Sequence, residues 1–251
     1  MNYTTDLSNS QWQIISKFLD LKRSRKCDLR EVMNAIMYLV KTGCQWRQLP
    51  LNFPPWSMVY YYFQAWKKKG IIEQMHQWLV KACRKKSGRK KQPTACVIDA
   101  QSTKATLVSG EGRGYDAGKK VKGVKKHLIV DTAGLILAVV IHSASIQDRD
   151  GAKEVIGKLN VHWKKLKKMF ADGGYRGKLI EWTYLQTGID LEIVKRNELS
   201  KFKVLPKRWV VERTLSWLDT NRRNSKFYER LNESGITMIY LSAMRIMLNR
   251  L

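Results

Sequence analysis

At 251 residues, 44% of them apolar, the chain is long enough for one large domain or for a small one plus a medium one, each with its own core. Forty-seven Lys and Arg against 21 Asp and Glu leave a formal charge of +26, more than solubility needs, and imply a large polyanionic partner with nucleic acid as first candidate. No apolar run reaches the roughly 18 residues of a membrane span, and the amino terminus MNYTTDLSNSQW is neither a signal peptide nor a basic transit peptide, so a cytoplasmic protein without membrane attachment is expected. Cys27, Cys44, Cys83 and Cys96 lie far apart with no C-x-x-C pair, and His76, His127, His142 and His162 form no H-E-x-x-H, so the pattern suggests reduced thiols and no zinc site.

From Ser8 to about Lys86 the pattern is helical. Trp12, Ile15, Phe18 and Leu19 make an apolar stripe behind a Ser8 cap. Asp28 caps a second helix, with Val32, Ile36, Leu39 and Val40 on one face and Gly43 at its end. Gln45 to Leu49 makes a short helical turn, and a third long helix starts after Pro54 and Pro55. Helix, short helix, turn, helix is the order of a helix-turn-helix, whose last helix would offer Tyr60, Tyr61, Gln64, Lys67, Lys68 and Lys69 to DNA. The alternative is that the aromatic residues are core and the lysines a solvated end. Residues 1–92 hold 18 Lys and Arg against 5 Asp and Glu, half the net charge in about a third of the chain, which favours DNA. CRKKSGRKKQP, with Arg89, Lys90 and Lys91, reads as an exposed basic linker, so we expect an all-α domain over 1–86, a linker over 87–93 and a second domain over 94–251.

After Pro93 the signals become those of strands. Ala95 to Ile98 is a short buried strand that delivers Asp99 at its end. His127 to Ala144 reads as a hairpin turning at Thr132 to Gly134. Asp148 or Asp150 caps a helix that runs to about Leu166. KKMFADGGYRG is a strand delivering Asp172 into a glycine-rich loop, DLEIVKR is a fifth strand, and Lys207 to Arg222 and Ile236 to Asn249 are closing helices. This is the element order of the ribonuclease H fold, a five-stranded mixed sheet with flanking helices. Asp99, Asp172 and Glu212 would converge in it. Clustered carboxylates resist joint ionisation, and divalent metal is the usual remedy. Hard oxygen ligands select Mg²⁺ or Mn²⁺, and two ions can clamp the attacking and leaving oxygens of a phosphoryl transfer. Taken alone, Glu212 reads as paired with Arg208 on a helix surface. Asp131 in Asp-Thr-Ala-Gly is read as a turn opening, and Asp116 as structural.

VIDAQSTKAT, GKKVKGVKKHLIVDT, IQDRDGA, FADGGYRG and RWVVERTLSWL resemble, in order, the DDE transposases of bacterial insertion sequences, specifically the insertion sequence five group. DLREVMNAIMYLVKTGCQWRQLP followed by FPPWSMVYYYFQAW resembles that group's small amino-terminal domain. The resemblance runs from Ser8 to about Met247 and implies that Asp99, Asp172 and Glu212 are the metal-binding catalytic triad. Arg208 matches the signature arginine four residues before the glutamate, whereas the signature tyrosine is Leu205 here and its last basic position is Asp219, which leaves Arg222 or Arg223 for phosphate contact. Lys119, Lys120, Lys122, Lys125 and Lys126 are assigned to DNA as well.

The resemblance implies a transposase that binds the terminal inverted repeats of its element on double-stranded DNA. It would release a 3′-hydroxyl there and join that hydroxyl to target DNA. Pairing two ends implies a homodimer or higher, associated with the nucleoid when bound. Two alternatives stay open: a DNA-binding protein of transposase descent without catalysis, and a ribonuclease H-like nuclease that does not join strands.

Overall fold

The computed structural model describes residues 3–107, 110, 112–194 and 207–251, and at 160, 161, 207 and 208 it describes the backbone alone. The chain divides into two compact units, one of residues 1–86, 218–225 and 237–251, the other of 87–217 and 226–236.

The first unit is helical. Helix α1 (Asn9–Ile15) starts from a capping box, in which Ser8 Oγ accepts from the Gln11 amide while Gln11 Oε1 accepts from the Ser8 amide. Helix α2 (Leu29–Thr42) is capped by Asp28, whose Oδ1 accepts from the Arg30 amide at 2.8 Å, and ends at left-handed Gly43. Helices α3 (Trp56–Lys68) and α4 (Ile71–Lys86) bury Val59, Phe63 and Trp66, and Ile72, Met75, Leu79 and Val80, at the three- and four-residue spacing of a single face. Late segments of the chain complete this core. Arg223 donates to the Cys44 carbonyl, Asn224 Nδ2 to Ser242 Oγ, and the His76 ring lies 4.5 Å from that of Tyr240 in helix α9 (Asn232–Leu248). Cys27, Cys44, Cys83 and Cys96 are all free thiols. Among the described residues no helix is long and apolar enough to cross a membrane.

The second unit is built on a six-stranded sheet: β1 (Ala95–Lys104), β2 (Gly114–Asp116), β3 (Val121–Asp131), β4 (Ile136–Ser143), β5 (Lys168–Ala171) and β6 (Asp190–Ile193). Strand β3 pairs antiparallel with β1 on one side and with β2 and β4 on the other, and β5 and β6 extend the sheet in parallel beyond β1. That is the ribonuclease H-like arrangement, with one strand more than the five expected. Strand β2 escapes a sequence reading because three residues show no periodicity. Strand β1 also continues six residues beyond Ile98, because Asp99 to Lys104 pair in unbroken register with Leu128 to Gly123. The polar run Gln101-Ser102-Thr103 hides this continuation.

Helix α5 (Asp148–Gly157) is shorter than expected and its cap is Gln147; Asp148 and Asp150 occupy its first turn, where carboxylates favour the positive end of the helix dipole. A four-residue helix, α6 (Leu159–His162), and then helix α7 (Leu179–Thr187) follow. Helix α8 (Lys207–Asp219) stops three residues short of Arg222, which opens a 3-10 turn. The chain places Gly151 of α5 against His142 of β4 and His127 of β3, so α5 covers one face of the sheet.

Candidate active site

The parallel pair β1–β5 places the two aspartates. Val97 is in register with Phe170, and the preceding pairs are Cys96 with Met169 and Ala95 with Lys168. Asp99 and Asp172 each lie two residues farther on, and Asp172 keeps an extended backbone (φ −83°, ψ 179°). With side chains alternating by residue, both carboxylates point to the face of Val97 and Phe170, level with each other and opposite the face covered by α5. Both are half-buried. Asp99 Oδ1 accepts from the Ala100 amide, and Asp172 Oδ1 from the Gly174 amide, each at 2.8 Å.

Glu212 is carried by helix α8. Helix α8 buries Val210, Val211, Thr214, Leu215 and Leu218 and turns Glu212, Ser216 and Asp219 outward, with Trp217 half-buried. Its seat is the turn between β3 and β4: Thr214 Oγ1 donates to the Gly134 carbonyl at 2.9 Å and Arg213 to that of Ala133 at 3.2 Å. Gly134 permits that approach, because its φ of +84° suits glycine and a Cβ there would lie 2.8 Å from Thr214 Oγ1. The turn adjoins Asp131, which is in register with Cys96, whereas Asp99 is level with Leu128, three residues or roughly 10 Å along the strand. Among the described residues, no group of three His, Cys, Asp or Glu stands at metal-holding spacing. On α8 the Arg213 guanidinium is stacked between the Trp209 and Trp217 rings, 4.3 and 4.4 Å from their centroids. The Arg208 side chain and Leu205 lie outside the described residues.

The cations divide into displayed and structural groups. Tyr61, Lys68 and Lys69 are exposed, Tyr60 is 39% exposed, and Gln64 and Lys67 are half-buried along α3, whose Val59, Phe63 and Trp66 are core. Arg89, Lys90, Lys91, Lys119, Lys120, Lys122 and Arg222 are exposed. Lys125 and Lys126 depart from the expectation of DNA contact, being 6% and 3% exposed. Lys125 Nζ lies 2.7 Å from Asp148 and donates to the Ile146 carbonyl, which keeps it inside the fold. Arg223, also buried, is held by the Cys44 carbonyl. Asp116 accepts from Ser102 and from the Lys119 amide, and the Ser102 hydroxyl foremost holds its carboxyl below the usual range. Asp131 is fully buried, and its Oδ1 accepts from the Ala133 and Leu135 amides, which fixes the turn.

Residues 7–76 match the family described as "Putative transposase of IS4/5 family", and residues 90–247 match "Transposase DDE domain". The chain belongs to the transposase DDE domain family. A curated relative, the "Putative transposase for insertion sequence element IS402" of Burkholderia cepacia, is 29% identical over 115 residues, which are 43% of this chain. The match spans about half, 54%, of that relative's length. No solved structure matches the chain.

One feature of the sheet unit is not visible in the sequence. His127 and His142 touch across β3 and β4, with His127 Nδ1 2.9 Å from His142 Nε2. Their separation of fifteen residues matches no ligand or catalytic spacing, and the hairpin register that joins them is visible only after folding.

Proposed function

We propose that this chain binds the terminal inverted repeats of its own insertion sequence and carries out metal-dependent DNA end cleavage and strand transfer. The observation that carries this reading is the level, same-face placement of Asp99 and Asp172 on adjacent parallel strands, in a chain that belongs to a DDE family. Two carboxylates side by side disfavour each other's ionisation, and their hard oxygens suit Mg²⁺ or Mn²⁺. A divalent cation bound there, one or two ions, would neutralise the pair and polarise the scissile phosphodiester.

The chain's own groups have separate tasks in this proposal. Asp99 and Asp172 hold and orient the cation, and Glu212 joins them as third ligand. Arg208, one helical turn before Glu212, meets a phosphate oxygen. Tyr60, Tyr61, Gln64 and Lys67 to Lys69 of α3, the basic stretch at Arg89 to Lys91, the loop lysines Lys119, Lys120 and Lys122, and Arg222 contact DNA. Two ends brought together require at least a homodimer in the working complex, and the bound protein is nucleoid-associated in the cytoplasm.

One competitor is an end-binding protein without catalysis. Oligonucleotides carrying the element's ends decide between them. Asp99→Asn, Asp172→Asn and Glu212→Gln are each expected to abolish cleavage while end binding stays within a few-fold of the parent. Metal-dependent cleavage that survives in any one of the three removes that residue from the site. Products joined to target DNA separate a transposase from a nuclease that only hydrolyses.

A further inference from the structure

On the sheet face opposite the two aspartates, three side chains with no part in the proposed reaction form one hydrogen-bonded chain. His142 Nδ1 lies 3.0 Å from the Ser143 carbonyl, His142 Nε2 2.9 Å from His127 Nδ1, and His127 Nε2 2.8 Å from the Tyr175 hydroxyl. A carbonyl only accepts, so His142 Nδ1 donates to it. With one proton on each ring, His142 Nε2 must then accept from His127 Nδ1, and His127 Nε2 must accept from the tyrosine hydroxyl. With both rings neutral, the direction of every bond follows from one backbone oxygen. His127 and Tyr175 are fully buried. Burial foremost pushes His127 down to about 3, in keeping with a neutral ring. Helix α5 makes room for the chain with Gly151, where any Cβ would collide with His142 Nε2 and crowd His127 Nδ1.

Tyr175 also closes the 3-10 turn that Asp172 opens. Asp172 receives the Gly174 amide on its side chain and the Tyr175 amide, at 3.2 Å, on its carbonyl. Between these ends stand Gly173 and Gly174, both exposed, so the turn has no side-chain packing of its own. The position of Asp172 therefore depends on where the Tyr175 ring is fastened on the far side of the sheet.

We propose that the chain from His142 through His127 to Tyr175 is a positioning device that holds the Asp172 turn level with Asp99 and so sets the affinity of the aspartate pair for a divalent cation. This rests on the two aspartates being the metal site proposed above. Tyr175 and the two histidines touch no reacting atom; they act through Asp172, as outer partners of metal ligands do, where their loss commonly costs tenfold or more in metal affinity.

The test is Mn²⁺ binding by the full-length protein, followed by calorimetry without DNA and without turnover. Tyr175→Phe keeps the buried ring and removes only the hydroxyl. It is expected to weaken Mn²⁺ binding about tenfold while circular dichroism and the unfolding cooperativity match the parent. His142→Leu, two links from the turn, gives a similar loss. His142→Gln, whose Oε1 can accept from His127, recovers most of the affinity, and this pair carries the test should Tyr175→Phe fail to fold. Asp172→Asn is the control. If Asp172→Asn loses the ion and Tyr175→Phe and His142→Leu bind it as the parent does, the metal site stands and the positioning role is overturned. If Asp172→Asn binds Mn²⁺ as the parent does, the site itself falls and this inference with it.

Discussion

The two buried histidines make the stability of the protein depend on pH in a window where few other groups titrate. His76 is 1% exposed beside Tyr240, and burial pushes it down to about 3; His127 is pushed to about 3 by burial, helped by neighbouring cations. In the unfolded chain both return to about 6.5. Between these values the unfolded state binds more protons than the folded one, so stability is complete above about pH 7 and falls as the pH drops. At pH 5 an unfolded imidazole is protonated about thirtyfold over, whereas the buried ring is still neutral, so each histidine costs about 2 kcal/mol relative to pH 7.5. The carboxylates do not confuse the reading: the depressed Asp116 contributes stability above its unfolded pKa and loses it only below about pH 4. Urea denaturation at pH 7.5 and pH 5 measures the drop, and the units report separately if they unfold separately. His76→Phe keeps an aromatic ring against Tyr240 and should remove the helical unit's share, about 2 kcal/mol, of the difference. Equal stability of the parent at the two pH values, or a drop undiminished in His76→Phe, would refute the assignment of neutral buried rings.

What the sequence discloses depends on how local the responsible physics is. Ser8, Asp28 and Gly43 reveal their caps because a cap is decided within four residues. The ribonuclease H-like order is legible because β-branched runs mark the strands and the DTAG turn marks the hairpin, and Asp172 is found because the short run before it ends in glycines. The continuation of β1 is invisible because Gln101 to Lys104 gain strand geometry from pairing with β3, not from their own propensity. Lys125 fails in the same way: a lysine in a basic motif looks like a phosphate contact until the fold sets Asp148 of α5 and Asp116 of β2 beside it. Glu212 is legible as an outward residue of α8, but periodicity fixes only the helix's rotation. Where the helix stands against the sheet depends on Thr214 and Arg213 gripping a turn some eighty residues earlier.

The remaining predictions test the seat of α8, the family arginine and the division of the cations. Gly134→Ala forces a left-handed alanine against Thr214 and should cost about 1–3 kcal/mol, read by urea denaturation; a neutral result removes the turn as the helix's fixed point. Arg208→Ala should lower strand transfer by roughly a hundredfold with the fold intact if the arginine meets developing phosphate charge, and activity within a few-fold of the parent would reduce it to a surface residue. The cations of α3 and of the sheet give opposite signatures when removed. Each phosphate neutralised contributes about −0.9 to the slope of log affinity against log salt, so replacing Lys67, Lys68 and Lys69 by Ala should flatten the slope of full-length protein on duplex DNA by up to about 3 units. Folding stability should change little, because Lys68 and Lys69 are exposed and Lys67 is at a helix end. Lys125→Met should do the reverse. Its ammonium is buried between Asp148 and Asp116, so its loss leaves carboxylates short of their cation and costs about 2–4 kcal/mol, while the salt slope of the protein that remains folded is unchanged. A Lys125→Met protein of parental stability with a slope flatter by about 1 would show that this lysine reaches phosphate after all, and that the β3 strand opens to DNA in a way its burial forbids.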